Sequence, residues 1–500
     1  MEKNYILVVD EGTTGLRAIV FDRDLKAVGQ CYQKVDSFYP APDEVEQDAQ
    51  TIWEKTLYAI RTAVDEAGID PREIAGCGIT TQRSTSGFWN KQTGEFYEKM
   101  VVWQDTRGFR YRNLFLSNPQ FIREHPNAAA KMNVLGGHRI TVTRGVLEQY
   151  PSLKEKVFLP TTAWGFMDSW LIYKLTGGKV HATGRSFAGT CLYQSIYDEH
   201  IHDWNQDILP WMGLRRGIMP EIRGDNAGFG VMDASILGVE IPIISSVADQ
   251  QAALFSEGCL EAGMAKCTMG TGTFVDLNVG EKCVYSDELN PMVAWDLGDK
   301  FNYLLEGSSP TAGACLEWAK NQLCLFDAFS QADEMAALVS DNGGIYFVPA
   351  INGMDSVPFL NATGRASFMG VSAGATKPHF VRSIMEGIAF AAGHIFEALT
   401  EQTGNKMKLI TVDGGVTKSE LILQTLADIT GSVVSRPKLV EASGLGAAEM
   451  AALRLGWITF SDVPKFLEKD KEFVPCGDRS GVIAQYQMWC KAVERSKNWL

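Results

Sequence analysis

The stretch YILVVDEGTTGLRAIVFD, residues 5–22, runs apolar up to Asp10, passes through Gly12, Thr13 and Thr14, and then turns apolar again. It reads as a buried strand, a tight turn and a second buried strand. The carboxylate and hydroxyls at its bend put polar chemistry at the rim of a core. The same design returns at residues 265–279, AKCTMGTGTFVDLNV, with a turn of Gly270, Thr271 and Gly272. Two hairpins of one pattern predict two related halves.

The flanking sequence agrees. After the first hairpin, DAQTIWEKTLYAIRTAVDEAG spaces Ile52, Leu57, Ile60 and Val64 as a helix, with Asp48 as its N-cap and Gly68 as its stop, and the buried strand EIAGCGIT follows. After the second, HFVRSIMEGIAFAAGHIFEALTEQTG predicts a long helix ending at Gly404, followed by the strand KLITVDGG. Helix–strand alternation in both halves predicts an α/β architecture with a sheet in each. The join falls at VADQQAALFSEG, between residues 252 and 253, with no Pro-rich or Ser-rich linker, so the halves are expected to pack closely and rock about short hinges. The final segment YQMWCKAVERSKNWL has helical spacing and is expected to close the fold.

With 500 residues, 45% of them hydrophobic and 21% charged, the chain is expected to fold throughout as more than one domain. Sixty acidic against 46 basic residues, with no dense Lys/Arg cluster, argue against a nucleic-acid partner. No apolar run is long enough for a membrane span and the start lacks the regions of a secretory signal, so a cytoplasmic protein is expected. The ten cysteines contain no CxxC pair and read as reduced, buried thiols, Cys77, Cys267 and Cys315 among them. His200 and His202 read as a surface turn rather than a metal site.

A Gly/Thr turn directs backbone N–H groups and hydroxyls to one point and can hold phosphate oxygens without a Walker lysine, and the sequence has no GxxxxGK[ST]. The alternative for either copy alone is an ordinary hairpin turn. Asp10 at the mouth of the first hairpin suits Mg2+, which takes one or two carboxylates beside substrate phosphates, and Arg17 suits a phosphate oxygen. In LITVDGGVTKSELILQTLAD a buried strand reaches Asp413, Gly414 and Gly415 and then a helix, which lets backbone and a positive helix end approach a nucleotide.

Together these features resemble the sugar and polyol kinases of the FGGY family, whose two domains share the actin-like ATPase (ribonuclease H-like) fold with a cleft between them. The resembling segments run in family order: DEGTTGLRAIVFD, DEVEQDAQTIWE, GITTQRSTSGFWNKQTGE, VVWQDTR, DSWLIYKLTGGKVHAT, ADQQAALF, MGTGTFVDLN, LEGSSPTAGACLEW and VDGGVTKSELILQTLADITGSVVSRP. The resemblance implies that residues 1–252 carry the acceptor pocket and first phosphate hairpin, and residues 253–500 the nucleotide site. It puts Thr13, Thr14, Gly15, Arg17 and Thr271 on the phosphates of ATP, with Asp10 at Mg2+. It puts Gly313, Glu317, Gly415 and Ser419 around the rest of the nucleotide, Glu317 and Ser419 replacing a glutamine and an asparagine. On the acceptor side it selects Arg83, Ser84, Trp103, Asp249, Gln250 and Phe274, with Asp249 as the general base. A guanidinium and carboxylates suit hydroxyls, and aromatic rings suit C–H faces. On local sequence alone, Trp103 reads as core and Asp249 as a helix N-cap.

The implied activity is ATP-dependent phosphorylation of a terminal hydroxyl on a small polyol, glycerol first, by a homodimer or homotetramer. Two departures from the glycerol-phosphorylating branch widen the choice of acceptor. Ser84 stands where that branch carries a glutamate, and residues 109–158 show no counterpart of its glycerol-contacting tyrosine. Erythritol, xylulose or ribulose is the alternative acceptor. A non-kinase actin- or chaperone-like ATPase would need a polymer interface or peptide-binding module, and none follows the second half.

Overall fold

In the computed structural model, residues 2–132, 138–190, 203–286, 288–351, 353–354, 356, 358–361, 363–438 and 441–500 are described; His200 and His202 lie outside them. The opening stretch forms the hairpin its pattern predicts. Strand Tyr5–Glu11 pairs antiparallel with Gly15–Phe21, Asp10 opposite Arg17. Successive strand residues face opposite ways, so Leu7 and Val9 pack on the side of helix Ala49–Ala67 while Ile6 and Val8 enter a second core behind the sheet. A strand covered on both faces must be apolar throughout, which explains the unbroken run. The helix is capped as expected: the Asp48 carboxylate accepts from the Thr51 N–H at 2.8 Å, and Gly68 ends it with a left-handed φ of 64°.

The N-terminal sheet is ordered Val231–Met232, Ile241–Ala248, Ile74–Thr81, Tyr5–Glu11, Gly15–Phe21, Ala27–Lys34. The last three strands are antiparallel; Ile74–Thr81 and then Ile241–Ala248 add in parallel. The C-terminal half repeats this scheme. Met264–Met269, Thr273–Gly280 and Phe301–Ser309 form the antiparallel trio, and Leu409–Asp413 and Val434–Pro437 add in parallel. Asn290–Asp296 and Lys469–Phe473 close its edges antiparallel. The echo between the hairpins is therefore an echo of whole sheets, and the chain is the two-part α/β structure of the actin-like ATPases.

Two helices cross where the halves meet. Asp249–Ser256 leaves the last parallel strand of the N-terminal sheet, and Ala442–Leu455 comes from the C-terminal half. Both bury apolar residues in one core with Ile6, Val8, Ile19 and Val247 of the N-terminal sheet. They cross closely: a Cβ on Gly446 would lie 2.0 Å from the Ala252 carbonyl oxygen. Ser256 Oγ donates to the Ala442 carbonyl at 2.7 Å, and Ser245 Oγ to that of Ala447 at 3.0 Å.

A smaller five-stranded sheet runs from Ser37–Phe38 to Thr162–Phe166. Beside it the fully buried Arg107 pairs with Asp105 and Glu46, both at 2.8 Å, and with Glu44 at 3.9 Å. This network locks the motifs DEVEQDAQ and VVWQDTR together. The turn after Leu409–Asp413 departs from the sequence reading. One 3-10 turn, Gly415–Lys418, intervenes before helix Glu420–Thr430, whose N-cap is Ser419. The last helix is Ser480–Ser496, docked by Trp489 Nε1 on the Phe347 carbonyl at 2.9 Å. The nine described cysteines are free thiols, and Cys77, Cys259, Cys267 and Cys315 are buried.

Candidate active site

In the first turn Gly12 N–H bonds back to the Gly15 carbonyl at 2.9 Å, leaving Thr14 exposed at the bend. A Cβ on Gly15 would lie 2.2 Å from the ring of Tyr32, an exposed side chain that packs directly over the turn. Thr13 Oγ1 accepts from Trp103 Nε1 at 2.7 Å, and its carbonyl accepts from Gln47 at 2.7 Å. Arg17 pairs with Glu441 of the other half at 2.6 Å and lies over the Tyr32 ring. The Asp10 carboxyl is pushed up to about 7, first by burial and then by the neighbouring charge of Asp249.

The second turn is held by backbone alone. Gly270 N–H bonds to the Gly272 carbonyl, Gly313 N–H to that of Gly270, and Ala312 and Ala314 both donate to Thr271. Glycine is required at two of these contacts. A Cβ on Gly313 would meet the Gly270 carbonyl at 2.7 Å, and one on Gly414, at φ 93°, would meet that of Met269 at 2.4 Å. The loop Asp413-Gly414-Gly415 thus lies directly on the second hairpin. Thr271 and Gly415 are exposed there, as is Glu317 on helix Gly313–Asn321. The Ser419 hydroxyl faces inward instead, donating to Asp333 at 2.7 Å while it caps its helix.

Between the hairpins the acceptor candidates come together. Trp103 and Phe274, one from each half, meet edge to face at 5.7 Å. Trp103 is only partly buried, so it is not a core residue. Asp249 is the first residue of its helix, with Ala248 as N-cap, and its Oδ1 accepts from the Gln250 N–H at 2.8 Å. Burial holds its carboxyl above the usual range, against the lowering effect of Arg83, whose Nε lies 3.9 Å away. The Arg83 guanidinium also pairs with Glu306 across the halves. Ser84 takes a left-handed φ of 63°, and its carbonyl accepts from Arg139 at 3.1 Å. Arg139 also donates to the carbonyls of Trp103 and Asp105, both at 3.3 Å.

Several of these groups are not among the sequence candidates. Lys266 is wholly buried and donates to Gln250 at 2.5 Å and Thr268 at 2.8 Å, and pairs with Asp276 at 3.0 Å. Burial alone would depress its ammonium, but the charges of Asp276, Asp413 and Glu257 hold it raised. Strand register places Thr411, Lys266, Asp276 and Glu306 side by side across four strands, a polar row that ends on Arg83. Lys266, Asp276 and Glu306 are lone charges inside apolar strands, a signal visible in the sequence. Arg139 has no such signal.

Paired phosphate-type turns on twin sheets, with carboxylates and a guanidinium between them, define a two-domain phosphotransferase. The model of the FGGY family of carbohydrate kinases, N-terminal domain, matches residues 5–256, and that of the C-terminal domain matches residues 265–455. The chain belongs to this family and is an ATP-dependent phosphotransferase. Within the family it is similar over its whole length to glycerol kinases. That of Acaryochloris marina is 37% identical and that of Thermoanaerobacter pseudethanolicus 36%, each over 99% of both chains. Among solved structures, Plasmodium falciparum glycerol kinase with ADP has a TM-score of 0.89 at 27% identity, covering 100% of this chain and 99% of that one. Gluconate kinase from Lactobacillus acidophilus, at 20% identity over 98% of each chain and a TM-score of 0.83, shares the fold.

Proposed function

We propose that the chain transfers the γ-phosphoryl group of ATP to a terminal hydroxyl of glycerol, giving glycerol 3-phosphate and ADP. The observation that carries this reading is the junction of Asp249, Arg83 and Asp10, together with the Trp103–Phe274 contact, in a chain whose full-length relatives are glycerol kinases. Residues 1–252 supply the acceptor pocket and first hairpin, and residues 253–500 the nucleotide side. Arg83 donates to acceptor oxygens and the rings cover carbon. Asp249 takes the proton of the attacking hydroxyl as its oxygen closes on the γ-phosphorus and the ADP oxygen leaves. Arg17, Thr13, Thr14, Gly15 and Thr271 hold phosphate oxygens; Gly313, Glu317 and Gly415 shape the remaining nucleotide pocket, and Ser419 stands behind it as the cap of helix Glu420–Thr430. Such catalysis is mainly positioning and electrostatics.

Mg2+ fits this site. Asp10 and Asp249 raise each other's free energy when both are ionised, a repulsion that a divalent cation relieves. Among the described residues no trio of His, Cys, Asp or Glu could hold a metal alone, so phosphate oxygens would complete its shell. Bound there, the ion would neutralise charge on the phosphates. No helix among the described residues is long and apolar enough to cross a membrane.

The test is ADP release from Mg-ATP with glycerol, erythritol, dihydroxyacetone, xylulose and ribulose as acceptors. Glycerol is expected to give the highest kcat/KM. A higher value for a four- or five-carbon acceptor would overturn the assignment.

A further inference from the structure

Glu257 stands immediately after the helix that begins with Asp249, and it is fully buried. Neither of its carboxylate oxygens meets a hydrogen-bond donor among the described residues, and Oδ1 of Asp413, also shielded from solvent, meets none. The backbone brings these two acids together. Thr411 Oγ1 donates to the Glu257 carbonyl at 3.4 Å, and Asp413, two residues along the same strand, projects from the same face. The ammonium of Lys266 does not serve Glu257: it donates to Thr268 and Gln250 and pairs with Asp276 at 3.0 Å, and neither Glu257 oxygen receives a bond from it. A wholly buried acid whose oxygens meet no donor, beside a second acid with one shielded oxygen, is satisfied when it keeps its proton and gives it to that neighbour.

We infer that Glu257 is a positioning residue that stays protonated and donates a hydrogen bond to Asp413. That bond ties the loop Asp413-Gly414-Gly415 to the helix carrying Asp249. The inference rests on the reading of this loop as part of the nucleotide site. A helix of this length is a strut of about 12 Å, so the bond fixes the distance between proton acceptor and nucleotide loop.

Burial, reinforced by the charge of Asp413, holds the Glu257 carboxyl well above its usual range, the direction that favours keeping the proton. The groups facing Glu257 are Asp413, Lys266, Asp276, Cys259 and Cys267. The two thiols and Lys266 are themselves pushed upward. Glu449, on the crossing helix Ala442–Leu455, is raised by burial alone.

The experiment measures KM for Mg-ATP and kcat with saturating acceptor at pH 7 and pH 9.5, for wild type, Glu257→Gln, Glu257→Ala and Gly415→Val. Loss of one hydrogen bond corresponds to about a 5-fold rise in KM. Wild type is expected to move toward that rise as the pH is raised and the proton is drawn off, with kcat changing less. Glu257→Ala should show it already at pH 7, whereas Glu257→Gln, a permanent neutral donor of the same shape, should give a low KM that does not change with pH. A Glu257→Gln enzyme with the pH response of wild type, or a Glu257→Ala enzyme with unchanged KM, would overturn the inference. Gly415→Val, for which the structure leaves room, separates the two readings. If it leaves the ATP KM unchanged, the nucleotide assignment of the loop fails; if it raises KM while the Glu257 variants do not, only the shared proton fails.

Discussion

Replacing Asp249 by Asn keeps the side chain's shape and removes its charge and its capacity to take a proton. Two effects follow. Loss of a general base lowers turnover by about 10²–10⁴-fold, equivalent to about 3–5 kcal/mol of barrier. The second effect is on Arg83. A unit charge at 3.9 Å attracts its partner by about 4 kcal/mol at an effective dielectric near 20. Arg83 keeps Glu306, however, so most of its anchoring survives and the fold should stay intact. The expected result is kcat reduced at least about 10²-fold, acceptor KM raised by a smaller factor, and ATP binding retained. A coupled ADP-release assay gives the first two, and calorimetry with ADP the third. The pH profile adds a further check. A base works only when ionised, so wild-type kcat should fall as acid protonates Asp249, at a pH above the ordinary aspartate range because burial raises its pKa. Near-normal turnover in Asp249→Asn, or an unaltered acid limb in its residual activity, would refute the assignment.

Arg83→Leu should strand the buried Glu306 beside Asp276 at a cost of about 3–5 kcal/mol. Thermal unfolding should show the loss, with recovery when Glu306→Gln is added to the same chain, and acceptor KM should rise in both proteins. Ser84→Glu restores a charged acceptor of hydrogen bonds, and acceptor titrations are expected to show glycerol KM lowered by up to about 10-fold; an unchanged KM would mean that position 84 does not face the acceptor. Asp10→Asn should raise the Mg2+ concentration needed for half-maximal rate, read from a metal titration at fixed ATP. Gly446→Ala drives a methyl group into the Ala252 carbonyl and should destabilise the protein by about 1–3 kcal/mol in a denaturant melt.

Much of the architecture was legible because it is written in period and punctuation. The apolar runs around Gly12–Gly15 and Gly270–Gly272, the cap at Asp48 and the stop at Gly68 are local signals, and they report the hairpins and the helix directly. Asp249 was visible as the polar end of an apolar strand, and the structure puts it one position past the N-cap. What local patterns omit is register. The row Thr411, Lys266, Asp276 and Glu306 draws on strands far apart in the chain, and only their pairing makes it one row. Arg139 lies beyond such reasoning, since its contacts with Ser84 and Trp103 depend on a helix, Arg139–Gln149, that crosses from another part of the chain. The 3-10 turn after Gly414 was missed because helix propensity does not distinguish a tight first turn from a regular one.

The crossed helices bear on how the chain is made. One face of the N-terminal sheet is covered partly by Ala442–Leu455, which leaves the ribosome about 190 residues after the helix Asp249–Ser256; at about 5–20 residues per second this is a delay of roughly 10–40 s. For that time Ile6, Val8 and Ile19 lack part of their covering, which leaves an apolar surface open to a holding chaperone or to aggregation. Production of the N-terminal half alone would make this exposure permanent.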